Sequence, residues 1–306
     1  MSEREDFLSK VQRAADNAFV GKPTEAEVIC RFHQSLPGEI RLDLSDQRRV
    51  SVANTAALIR QFQLKPEVIG GNEAEIQAAT IVSLMASSVA IVREGSGFVG
   101  SGVLIKPNLV ITAGHVLGNE LNSSQYGVVS GNTATGIGVK VKIVKKHPQF
   151  SDLGGTFKND LAFLQLAEDL DPPAAVAVPT DFDGAQTAQI VGFGNSTDSK
   201  GGGMKRFANL AIWSLECDED PPKFSDCAKA LEMTAGDPLP KDNLRIDSGN
   251  RDSGAPLFLV DSEGKLVPRG KSAVTLGITS RYIRHPGEGS IYTRLDRHSS
   301  WIATLP

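Results

Sequence analysis

Beyond Ala78 the chain is written in short β-rich runs separated by glycine turns. Phe98 to Ile105, Leu109 to Thr112 and Val139 to Val144 are examples. Runs of that length, spaced by turn residues, fit an antiparallel all-β barrel architecture. The stretch before it reads differently. Ser2 and Glu5 form a capping-box pattern ahead of Phe7, Leu8, Val11, Ala14, Ala15 and Ala18, which recur at helical spacing. Thr24 and Glu27 repeat the pattern before Val28, Ile29 and Phe32, and Pro37-Gly38 ends that run. A third apolar stripe passes through Ala56, Ala57, Ile59 and Phe62. The expected organisation is therefore a small helical N-terminal region, residues 1–67, followed by an all-β domain, residues 68–306.

Bulk properties narrow the function. The chain has 306 residues and a net charge of −4, with no basic run, which argues against general nucleic-acid binding. No segment approaches the roughly 20 apolar residues of a membrane span. The start, Met1-Ser2-Glu3-Arg4-Glu5-Asp6, has no signal-peptide apolar core, so the sequence reads as cytoplasmic unless it leaves by a non-classical route. Cys217 and Cys227 either pair around a ten-residue loop or remain free thiols in a reducing cell. Cys30 reads as a small core residue. Metal-ligand spacings and phosphate-cradling glycine loops are absent, so neither a metal nor a cofactor is expected. The Gly201-Gly202-Gly203 cluster reads as a flexible surface loop.

Chemistry concentrates in three motifs: Thr112-Ala113-Gly114-His115, Asn159-Asp160-Leu161-Ala162, and Arg251-Asp252-Ser253-Gly254-Ala255-Pro256. They supply a histidine, an aspartate and a serine. A serine hydroxyl is a weak nucleophile near neutral pH and needs an imidazole to take its proton. The imidazole needs a carboxylate on its other nitrogen to fix the tautomer. Ser253, His115 and Asp160 are thus the candidate nucleophile, general base and orienting carboxylate for acyl transfer.

The order His115, Asp160, Ser253, with gaps of 45 and 93 residues, resembles the trypsin and chymotrypsin family of serine proteases. Gly192-Phe193-Gly194 resembles the family's Gly-Trp-Gly loop, and Gly277-Ile278-Thr279-Ser280 its substrate-backbone strand. Ile291-Tyr292-Thr293-Arg294 with Trp301-Ile302 resembles its closing strand and C-terminal helix. The resemblance covers residues 68–306. It implies two six-stranded antiparallel barrels, a protein or peptide substrate, and a serine endopeptidase.

The resemblance also assigns finer roles. The oxyanion hole would use the backbone N–H groups of Arg251 and Ser253, although most relatives have glycine where Arg251 stands. An arginine adopts glycine's backbone angle only at a cost, so the hole would form in an activated or substrate-bound state. Asp247, six residues before Ser253, would lie at the pocket floor and select Arg or Lys. Its other reading is a solvated loop carboxylate. Ser280, Tyr282 and Ser290 are placed along the substrate-binding cleft, the last two where trypsins carry glycine, so they would narrow the pocket toward small side chains. Val68-Ile69-Gly70-Gly71 resembles an activated N-terminus, whose new amine would pair with Asp252 after cleavage by an activating protease. A plain Gly-Gly linker is the alternative there. Two further readings stand beside the protease: a non-catalytic binding module on a protease fold, and a cytoplasmic protease dedicated to one partner in a conflict or cell-death system.

Overall fold

The computed structural model describes residues 85–135, 138–170, 185–194, 202–217, 227–236, 248, 251–270, 272–283 and 289–306. The helical reading of residues 1–67, the Val68 motif and Asp247 lie outside the described residues.

The first barrel is built from β1 (Ser88–Arg93), β2 (Gly97–Lys106), β3 (Leu109–Thr112), β4 (Tyr126–Val129) and β5 (Val139–Lys146). A small ribbon, β6 (Ser151–Asp152) with β7 (Phe157–Lys158), follows before β8 (Ala162–Leu166) completes it. The closed order is β1-β2-β3-β8-β5-β4, and the pairings are antiparallel. The second barrel uses β9 (Thr187–Gly192), β10 (Arg206–Ser214), β11 (Glu232–Ala235) and β12 (Pro256–Leu259). After a ribbon of β13 (Pro268–Arg269) and β14 (Ser272–Ala273) come β15 (Thr275–Tyr282) and β16 (Ser290–Arg294), closing β10-β11-β16-β15-β12-β9. A single helical turn, α1 (Ser299–Ile302), follows near the C-terminus. The three strand runs read from sequence fall within β2, β3 and β5.

Each barrel closes over its own apolar face. In β5 the lysines at 140, 142 and 145 alternate with Val141 and Val144, which are buried. The alternation is period-two through Lys142, and a register shift between Val141 and Ile143 returns Val144 to the dry face. Val89, Ile91, Val103, Leu109, Ile111 and Leu164 fill the first barrel's core, and Ile190, Leu210, Met233, Leu257, Leu276 and Tyr292 the second's. Each such buried aliphatic side chain stabilises the fold by about 1.5–3 kcal/mol.

The seam between the barrels is polar and specific. The Ser101 amide donates to the Ser253 carbonyl at 2.8 Å, and the Ser88 hydroxyl donates to the Val191 carbonyl at 2.8 Å. The Phe193 amide donates to Ser101 Oγ at 3.1 Å. Gly254, at φ 85°, lies so close that a Cβ there would collide with the Ser101 carbonyl and Thr112 Oγ1. Only glycine fits both the angle and the gap. In the glycine cluster Gly202 is exposed, as expected of a surface loop, and Gly203 departs from that reading. Gly203 is buried, its amide donating to Phe193 and its carbonyl accepting from Ala134, so it ties loops together.

Candidate active site

Strand register brings the candidate residues together. β3 ends at Thr112, which pairs with Ala162 at the start of β8. His115 follows Thr112 on a 3₁₀ turn, Gly114–Leu117, and Asp160 precedes Ala162 by two residues. The two side chains therefore meet at one end of neighbouring strands, 45 residues apart in sequence. Asn159, at φ 46°, turns the chain into Asp160; asparagine tolerates that left-handed region better than most residues. Gly114 leaves room for Phe150, whose ring would meet a Cβ there at 2.7 Å.

Ser253 arrives from the other barrel, just before β12. Its Oγ lies 2.8 Å from His115 Nε2. On the opposite side of the ring, Nδ1 lies 2.7 Å from Asp160 Oδ2. Asp160 is fully buried and also accepts from the His115 backbone N–H at 2.9 Å and from Ser280 Oγ at 2.6 Å. Three donors around a buried carboxylate offset its lost hydration. With Nδ1–H donating to Asp160, Nε2 is free to accept the serine proton.

Two contacts around this row were not anticipated. Phe157, held by the β6–β7 ribbon, stacks on His115 with centroids 4.4 Å apart and planes 3° from parallel. Arg281, next to Ser280 on β15, pairs with both carboxylate oxygens of buried Glu232 at 2.8 and 2.9 Å. Its Nη1 also donates to Ser280 Oγ at 3.3 Å. Ser280 itself is buried, with its hydroxyl committed to Asp160. A faint signal existed: a charged residue inside an otherwise uncharged strand needs a buried counter-charge.

The loop before Ser253 retains the turn despite its arginine. Arg251 is exposed and sits at φ 72°, the region glycine occupies freely and an L-residue occupies at about 1–2 kcal/mol. Among the described residues, neither the Arg251 nor the Ser253 amide donates to a protein acceptor. Asp252 is buried and accepts from the Gly194 amide at 2.7 Å. A Cβ at Gly194 would fall 2.4 Å from its Cγ, so Gly192-Phe193-Gly194 forms a seat for this carboxylate.

Tyr282 and Ser290 stand opposite each other in the β15–β16 ladder. Ser290 is buried, and its Oγ lies 2.6 Å from that of Ser248, the residue after Asp247. Thus Tyr282 and Ser290 sit together, with Ser248 beside Ser290. Cys217 and Cys227 are disulfide-bonded, the first of the two alternatives left open by sequence. Among the described residues no group of three or more His, Cys, Asp or Glu side chains is placed to hold a metal. Nor is any helix there long and apolar enough to cross a membrane.

Two closed six-stranded barrels, with a serine, histidine and aspartate aligned at their seam, define a double-barrel protein of the serine protease kind. The Trypsin family profile matches residues 68–302, so the chain belongs to the trypsin-like serine protease family. It is 27% identical over 246 residues to mast cell protease 3 of Ovis aries, covering 77% of this chain and 88% of that protein. It is 28% identical over 181 residues to a trypsin-like protease of Streptomyces glaucescens, covering 55% of this chain and 62% of that one. The VesB protease of Vibrio cholerae shares the fold at a TM-score of 0.51 and 19% identity; the match covers 71% of this chain and 63% of VesB.

Proposed function

We propose that this protein is a serine endopeptidase in which Ser253 is the nucleophile, His115 the general base and Asp160 its orienting carboxylate. The unbroken row Asp160–His115–Ser253, with contacts of 2.7 and 2.8 Å, carries this reading. Ser253 Oγ attacks the scissile carbonyl while its proton passes to His115 Nε2. The imidazolium, stabilised by Asp160, then gives that proton to the leaving amine. The Arg251 and Ser253 amides receive the oxyanion, each donor contributing on the order of 3 kcal/mol. Water, activated by the same imidazole, releases the acyl group. The test is hydrolysis of peptide libraries by wild-type protein and by Ser253→Ala, which should be inactive while keeping the same melting temperature.

For specificity, Asp247 at the pocket floor would favour Arg or Lys before the scissile bond. Tyr282 and Ser290 oppose that choice by filling space. Matched peptides with Arg, Lys, Ala or Leu decide between them, and a preference for Ala or Leu would mean that the walls dominate.

For regulation, the reading is a precursor whose residues 1–67 are removed or act as an adaptor. An activating protease would cut before Val68, and the new amine would pair with Asp252. What supports this is the position of Asp252, a buried carboxylate next to Ser253 and held by the Gly194 amide. A form engineered to begin at Val68 should gain kcat, and should lose the gain in Asp252→Ala. Equal activity in both forms would make residues 1–67 an adaptor.

Two cellular locations are proposed: the cytoplasm and, from the Cys217–Cys227 bond, an oxidising compartment. Thiol trapping in intact cells separates the two.

A further inference from the structure

A cavity of about 430 Å³ opens beside Asn159, the residue that leads into Asp160. Its walls include His147, Lys158, Arg297, His298 and Trp301, and among the described residues no carboxylate lines it. His147 is 92% buried by its exposure of 8%. The Gln149 amide donates to its Nδ1 at 3.2 Å, which places the ring proton of the neutral form on Nε2. Among the described residues that Nε2–H has no hydrogen-bond acceptor. Lys158 is exposed, and among the described residues its ammonium has no ion-pair partner. Arg297 is different: Glu216 at 2.6 Å already shares its charge, with Asp296 at 3.5 Å.

His298 adds a third observation. Its Nδ1 lies 2.7 Å from the Arg294 carbonyl and its Nε2 lies 3.2 Å from Asn159 Oδ1. A neutral ring can donate to only one of these acceptors. Burial lowers its pKa, so near neutral pH the ring is uncharged and adds nothing to the charge at the walls. The net free charge at the walls is close to one, from Lys158. A monoanion matches that, and a phosphate dianion does not. Trp301 supplies an apolar surface for a neighbouring side chain.

We propose that this cavity is an accessory site for a carboxylate-bearing peptide segment, held by the Lys158 ammonium and the His147 Nε2–H. The site does not depend on the chemistry of Ser253, so its fate and that of the proposed mechanism are separable. The experiment is calorimetric titration of full-length Ser253→Ala protein with a capped tetrapeptide containing one aspartate beside a phenylalanine. The matched asparagine peptide and inorganic phosphate are the comparisons. Saturable binding of the aspartate peptide is expected, weakened about tenfold in the asparagine peptide and again in Lys158→Gln, as loss of a charge-assisted bond implies. The His147 Nε2 resonance should shift during the titration. Equal binding of both peptides, tighter binding of phosphate, or an unmoved His147 resonance with Lys158→Gln unaffected would overturn the proposal.

Discussion

The Ser280 hydroxyl donates to Asp160 Oδ2 at 2.6 Å, joining residues 120 positions apart and linking the second barrel to the carboxylate of the first. Arg281 reaches the same hydroxyl and anchors it to Glu232. Asp160 is therefore held from both barrels, and its orientation depends on their docking.

Ser280→Ala should lower kcat roughly ten- to hundredfold, the equivalent of one hydrogen bond to a charged group, with KM little changed. Steady-state kinetics on a single peptide reads this directly. A rise in KM alone would instead assign Ser280 to substrate binding.

Arg251→Gly should keep full activity, because the proposed oxyanion donor is a backbone N–H. It should also relieve the left-handed strain of about 1–2 kcal/mol, partly offset by glycine's greater freedom in the unfolded chain. Denaturant midpoints and kcat together check both halves.

Gly254→Ala should destabilise the protein by several kcal/mol. Overpacking costs about 1–3 kcal/mol and the positive φ adds to it. The collision is with the Ser101 carbonyl and Thr112 Oγ1, at the contact between barrels. A large drop in melting temperature is expected.

Acid should destabilise the region around His147 and His298. Burial lowers the pKa of both rings below the ordinary 6.5, and His298 lowers that of His147 further. Above pH 6.5 the two rings are neutral in both states and impose no penalty. As pH falls through 6.5 the unfolded chain takes up protons that the folded chain resists, so stability declines toward the folded pKa values. Urea midpoints between pH 7.5 and 5.5 should fall, and His298→Gln should flatten that slope.

The candidate nucleophile, base and carboxylate were legible in sequence because each sits in a short local motif whose chemistry is fixed by a few neighbours. The strands were legible because short β-rich runs are set off by turn residues, as in β2 and β3. Pairings set by register were not. Phe157 over His115, Arg281 with Glu232, and Ser248 with Ser290 depend on which strands and loops meet in space. Ser280 shows the boundary: its place on a strand was readable, but the partner of its hydroxyl was not. Arg251 was legible as a departure from glycine, while the left-handed angle it adopts came only from the fold.

Covalent labelling tests the central claim most directly. Full-length protein is treated with a serine-reactive fluorophosphonate and the site of modification is mapped by mass spectrometry, beside His115→Ala. The account predicts labelling at Ser253, slow in the full-length chain and stoichiometric in the form trimmed to begin at Val68, and lost in His115→Ala, because the hydroxyl is nucleophilic only with its imidazole in place. Absence of labelling in the wild-type chain, both full-length and trimmed to begin at Val68, or labelling that persists without His115, would contradict it.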